Sequence, residues 1–169
     1  EFGGIFLEEF ERSIALIHKQ YGELQYESTV ARAQASTKQG ILRLHGDHDE
    51  GDQRMILKAK QIIGNERFTK PFQVTTEIGG EAKGYGGYHV GISIGNLRLL
   101  FHPGYRGGGF RIERVDNHRY IVTNQEMPFT PTAGVLHKMR VHVTPQKDGR
   151  VLLKTTISDP KNPKQKYVK

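Results

Sequence analysis

From Gly40 onward the chain alternates apolar and polar residues with a period of two. Side chains on every second residue share a face only in an extended strand, so this feature confines the chain to β structure. "PFQVTTEI" sets Phe72, Val74, Thr76 and Ile78 against Gln73, Thr75 and Glu77, and "YHVGISI" sets Tyr88, Val90, Ile92 and Ile94 against His89, Gly91 and Ser93. The same alternation runs through "ILRLHG", "RMILKAK", "LRLLFH", "GFRIERV", "RYIVTN", "LHKMRVHVT" and "GRVLLKTTIS". Gly95-Asn96 joins two of these runs and "PQKDG" joins the last two, both good hairpin turns. About nine or ten strands broken by regular turns predict an all-β fold, an antiparallel β-sandwich.

Residues 5–21 break the pattern. Phe6, Phe10, Ile14, Ile17 and Tyr21 recur at spacings of three and four, which predicts a short N-terminal amphipathic helix. No linker, repeat or low-complexity tract divides the 169 residues, so the expectation is a single β-sandwich domain over residues 1–169. No apolar run is long enough to span a membrane. Cysteine is absent, which excludes disulfides, thiolate nucleophiles and cysteine-held zinc. Lys and Arg outnumber Asp and Glu by 25 to 18, a net charge of +7. Lys161, Lys164, Lys166 and Lys169 crowd the C-terminal end, and the surface reads as solvated and basic-leaning rather than as a nucleic-acid platform, because no aromatic residues interleave with the cations.

"FHPGYRGGGF", residues 101–110, tests that conclusion. A phosphate-cradling glycine loop leads into a helix whose free N–H groups meet the anion. Here a strand follows, and no Gly-Lys-Ser/Thr is present. The glycines therefore read as turn formers that present Tyr105 and Arg106 at the tip of a connection.

Strand parity sorts the polar residues onto one face turned away from the core: Thr75, Glu77, His89, Ser93, Arg98, His102, Arg111, Glu113, Arg140 and His142. His, Arg and Glu are groups that grip hydroxyls and carboxylates. Tyr85 and Tyr105 supply flat faces for a sugar ring. The candidate ligand-binding set is Tyr85, His89, Arg98, His102, Tyr105, Arg106, Arg111 and Glu113. Glu77 and Glu113 are the alternative, a carboxylate pair for glycoside hydrolysis, which needs two such groups roughly 5 to 10 Å apart. "HGDHDEGD" offers Asp47, Asp49 and Asp52 as oxygen ligands for Ca²⁺; otherwise it is a solvated turn and no cofactor is expected. No helical His pair points to zinc, and no Gly-x-Ser-x-Gly supports a serine nucleophile.

The order "FLEEF", "GILRL", "PFQVTTEI", "GYHVGISIG", then "LHKMRVHVTPQKDGRVLLKTTI" resembles the concanavalin A-like lectin/glucanase superfamily, especially laminin-G-like modules of secreted bacterial proteins. The likeness spans residues 6–157 and rests on strand order and apolar positions. It implies a jelly-roll sandwich, an extracytoplasmic or secreted location, and binding or cleavage of polysaccharide on a concave sheet. The glucanase branch carries Glu-x-Asp-x-x-Glu on one strand, and this chain does not; Glu77 and Glu81 do not fit it. The resemblance therefore implies a non-catalytic carbohydrate-binding or adhesion module. A glycoside hydrolase of the same fold is the alternative, and a structural or protein-interaction domain within a larger protein is a third. The family's closing strands do not follow "KQKYVK", so either the chain is part of a longer protein or residues 5–21 take their place.

Overall fold

The computed structural model describes residues 20–21, 24–28, 34–38, 41–45, 53–57, 70–80, 89–104, 109–116 and 119–168. All of the regular structure among them is β: thirteen strands and no helix. The helix expected over residues 5–21 lies outside the described residues, except that Gln20–Tyr21 is a strand. The chain groups into two compact units, Glu1–Phe68 and Thr69–Lys169.

In the first unit, β1 (Gln20–Tyr21), β2 (Leu24–Ser28) and β5 (Gln53–Leu57) form one antiparallel sheet, and β3 (Gln34–Lys38) pairs with β4 (Ile41–His45) in another. Only β4 and β5 carry the apolar alternation that identifies a strand in the sequence. β2 and β3, "LQYES" and "QASTK", are mostly polar and gave no such signal.

The second unit holds two four-stranded antiparallel sheets. Sheet I has the order β13 (Asn162–Val168), β12 (Val151–Asp159), β11 (His137–Pro145), β6 (Phe72–Ile78). Sheet II has the order β10 (Arg119–Gln125), β9 (Phe110–Asp116), β8 (Leu97–Phe101), β7 (Val90–Ile94). The chain lays down β6, crosses to sheet II for four consecutive strands, and returns to set β11 against β6 with Val141 opposite Val74.

The two sheets meet face to face. Leu99, Phe101 and Phe110 of sheet II and Met139, Val141, Val143 and Ile157 of sheet I are essentially inaccessible to water. Ring contacts cross the gap: Phe101 lies edge-on to His137 at 5.3 Å and Phe110 lies 5.1 Å from Tyr167. Tyr167 donates its hydroxyl hydrogen bond to Gln125 Oε1 at 2.9 Å, so its buried oxygen has a partner in the opposite sheet. Burial also pushes the Tyr167 hydroxyl pKa up. Removing this apolar surface from water is the main source of stability for the layer.

One polar pair sits inside that layer. His137 and Asp159 are fully buried, with His137 Nε2 3.4 Å from Asp159 Oδ2. Thr132 donates to the same oxygen from its backbone N–H at 3.0 Å and its hydroxyl at 2.6 Å, and the Lys161 N–H donates to Oδ1 at 2.8 Å. Burial alone would raise the Asp159 pKa. The hydrogen bonds from Thr132 and Lys161, with His137 beside them, outweigh it and hold the carboxyl at about 2.

The turns follow the sequence closely. Gly95 has φ 58° and carries the chain from β7 to β8, with Ile94 paired directly to Leu97. Gly149, at φ 81°, closes the β11–β12 hairpin, where the Gln146 N–H donates to the Arg150 carbonyl at 2.8 Å. Nothing lies within reach of a Cβ added at Gly95, so Gly95→Ala carries backbone strain alone. It should cost about 1 kcal/mol in thermal unfolding, and Gly95→Asn less, because Asn tolerates the left-handed region. Equal losses for the two variants would place the cost elsewhere than in the backbone.

Candidate polar face on sheet II

The register of sheet II assembles the site. On β8, Leu99 and Phe101 point into the core, so Arg98 and Leu100 take the other face, and His102, just past the end of the strand, lies on that side too. Arg98 sits opposite Ser93 on β7 and opposite Glu113 on β9; Leu100 sits opposite Gly91 and Arg111; Arg111 sits opposite Asn124 on β10. His89 stands just before β7, and its ring meets His102 edge-on at 5.1 Å. Six residues expected on a polar face, His89, Ser93, Arg98, His102, Arg111 and Glu113, therefore share one.

Gly91 lets two strands close at the centre of this face. A Cβ there would collide with the Leu99 carbonyl oxygen and lie 2.9 Å from Leu100 Cα. Any other residue would push β7 off β8 and separate His89 and Ser93 from the arginines.

Glu113 organises the charges. It is buried, 6 % exposed, although sequence parity places it on the face turned away from the core. Its Oε1 is 2.6 Å from Arg111 Nε and its Oε2 is 3.6 Å from Arg98 Nη1. A carboxylate removed from water needs such partners, since an uncompensated buried charge is strongly destabilising. In return it fixes two guanidiniums whose side chains stay partly open, 31 % for Arg111 and 18 % for Arg98. His102 is buried beside them. Desolvation lowers the His89 pKa, the charges of Arg111 and His102 lower it further, and Glu113 pulls the other way. His89 is therefore neutral at pH 7, with one ring nitrogen donating and the other accepting.

Three expectations need correction. The ten polar residues do not share one face: Thr75, Glu77, Arg140 and His142 lie on the outward side of sheet I, behind the core layer. For the same reason Glu77 and Glu113 are not an acid pair. They occupy different sheets, each turned away from the apolar layer, and packed sheets alone stand about 10 Å apart. Strand parity cannot tell one sheet's outer face from another's, which is why both acids seemed available to one site. His102 and Glu113 are also not exposed as expected, but buried.

Tyr85, Tyr105 and Arg106 lie outside the described residues, as do Asp47, Asp49 and Asp52. Gly104, next to the Tyr105 connection, has φ 74° and donates its N–H to the Pro131 carbonyl at 2.6 Å, as a turn-forming glycine does. Among the described residues no three His, Asp or Glu side chains are grouped so as to hold a metal ion. No helix of the described residues is long and apolar enough to cross a membrane.

The buried His137–Asp159 pair is what sequence reasoning missed. Its signal was parity: His137 is in phase with Met139, Val141 and Val143, and Asp159 with Thr155 and Ile157. No protein-family model, curated protein or solved structure matches this chain.

Proposed function

We propose that the chain is a lectin-like carbohydrate-binding or adhesion module of an extracytoplasmic protein, without catalytic activity, and that its two-sheet unit is a jelly-roll sandwich. The return of the chain from sheet II to pair β11 with β6 is the topological feature that supports the jelly roll. The observation that carries the function is the buried Glu113 holding Arg98 and Arg111 in place. Fixed guanidinium donors lose little freedom when they grip a ligand, which favours binding. Beside them a neutral His89 and the exposed Ser93 and Asn124 can both donate and accept, which suits the hydroxyls of a sugar. No second carboxylate accompanies Glu113 on this face among the side chains described, so the arrangement supports binding and not hydrolysis.

The test is a titration of the chain with soluble β-glucan and xylan. Arg111→Ala should weaken binding of whichever polymer is recognised about tenfold. Glu113→Gln should weaken it less, with no release of reducing sugar by either protein. Reducing-sugar release that Glu113→Gln abolishes would overturn the reading in favour of a hydrolase, and unchanged affinity in Arg111→Ala would move the site off this face.

A further inference from the structure

The outward face of sheet I has a different character from that of sheet II. Lys138, Arg140 and His142 lie along β11, Lys154 stands opposite His142 on β12, and Lys166 on β13 stands opposite Ser158, which itself faces Lys138. Glu77, opposite Lys138 on β6, is the one acid on this face among the side chains described. Lys138, His142, Lys154 and Lys166 are exposed. Arg140 Nε is enclosed with no hydrogen-bond partner among the described residues.

This excess of positive charge has a cost. Lys138 has an acid directly opposite it, but Arg140 and Lys154 have none, so they forgo the opposite-charge pairing that stabilises a solvated sheet face. One structural explanation is edge protection, since lysines on an edge strand discourage pairing with another chain. It accounts for Lys166 on β13. It does not account for Lys138, Arg140 and Lys154, which sit on the two central strands of the sheet.

We propose that this face is a second binding surface, for a polysaccharide that carries carboxylate or sulfate groups. Three features select that occupant. The cations stand roughly 5 to 10 Å apart, one or two strand spacings across the sheet or two residues along a strand, which suits a linear chain with repeated charges. Between them lie Gln73, Thr75, Thr156 and Ser158, side chains that hydrogen-bond to sugar hydroxyls. No aromatic side chain stands among the described residues of this face, so it lacks the stacking platform on which single-stranded nucleic acids depend. The proposal is independent of the sheet II site, which uses different residues on the opposite side of the core.

The test compares binding of the whole chain to alginate and dextran sulfate with binding to uncharged dextran, to poly(U) RNA and to vesicles containing anionic lipid. At least one acidic polysaccharide should bind, more tightly than the RNA and the vesicles, with affinity falling as salt rises. The triple variant Lys138→Gln/Arg140→Gln/Lys154→Gln should lose roughly 100-fold, while Arg111→Ala on sheet II should leave this binding unchanged. Circular dichroism checks that the variant is folded; if it is not, Lys154→Gln/Lys166→Gln, two exposed positions, should show a smaller loss in the same direction. Failure to bind either acidic polysaccharide, binding that ignores these substitutions, or equal or tighter binding of RNA or vesicles through the same residues would overturn the proposal.

Discussion

Phe101→Ala is expected to destabilise the Thr69–Lys169 unit by about 4 kcal/mol. Phe101 is completely inaccessible to water, pairs with Phe110 across β8 and β9, and meets His137 of the opposite sheet at 5.3 Å. Truncation removes the ring's transfer free energy and leaves a cavity that two hydrogen-bonded sheets cannot easily close. It also strips one wall from the buried His137–Asp159 pair. For a unit of this size the melting temperature should fall on the order of 20 °C. Thermal unfolding followed by circular dichroism reads the effect. A loss under about 1 kcal/mol, small for a core aromatic, would mean that the two sheets do not pack against each other at this point.

Asp159→Ala should cost about 3 kcal/mol through a different mechanism. The carboxylate accepts two hydrogen bonds from Thr132 and one from Lys161, so it ties the loop before β11 to the turn after β12. Its removal leaves those part-buried donors and the buried His137 without their partner. Asp159→Asn keeps the shape and one oxygen, and should cost roughly half as much. The pH dependence follows from the direction of the shift. The folded pKa of about 2 lies below the ordinary 3.8, so on acidification the unfolded chain takes up the proton first. The stabilisation is whole above about 3.8 and is lost as pH falls from there through 2. Unfolding midpoints measured across that window should therefore drop less steeply in Asp159→Asn than in the parent protein. Parallel curves would mean that Asp159 does not hold its charge through these hydrogen bonds.

Both residues show what the sequence makes legible. The strand pattern of β6 through β12 can be read directly, because each alternates and each connection except Asn117-His118 carries a glycine. Parity then assigns Phe101, Met139 and Val141 to the core correctly. The β6–β11 pairing is not readable, since it joins segments far apart in the chain and depends on how the sheets close. β13 escaped notice because "NPKQKYV" buries only Tyr167 among its described side chains and contains a proline, which an edge strand tolerates. Polar residues mislead in both directions. His137 and Asp159 lie in phase with core residues, yet their chemistry argues for the surface. Glu113 and His102 lie out of phase with the core and are buried all the same, because Arg98 and Arg111 satisfy the acid. The candidate site was therefore legible as a set of residue types on one strand face, but its division between two sheets and the central place of Glu113 required the register.

The most direct test of carbohydrate binding at the sheet II face is a glycan array probed with the folded chain and with Arg111→Ala at moderate salt. The parent protein should bind a few neutral glycans selectively, and those signals should be lost in the variant. A blank array from a folded parent, or signals that persist undiminished in Arg111→Ala, would contradict binding at this face.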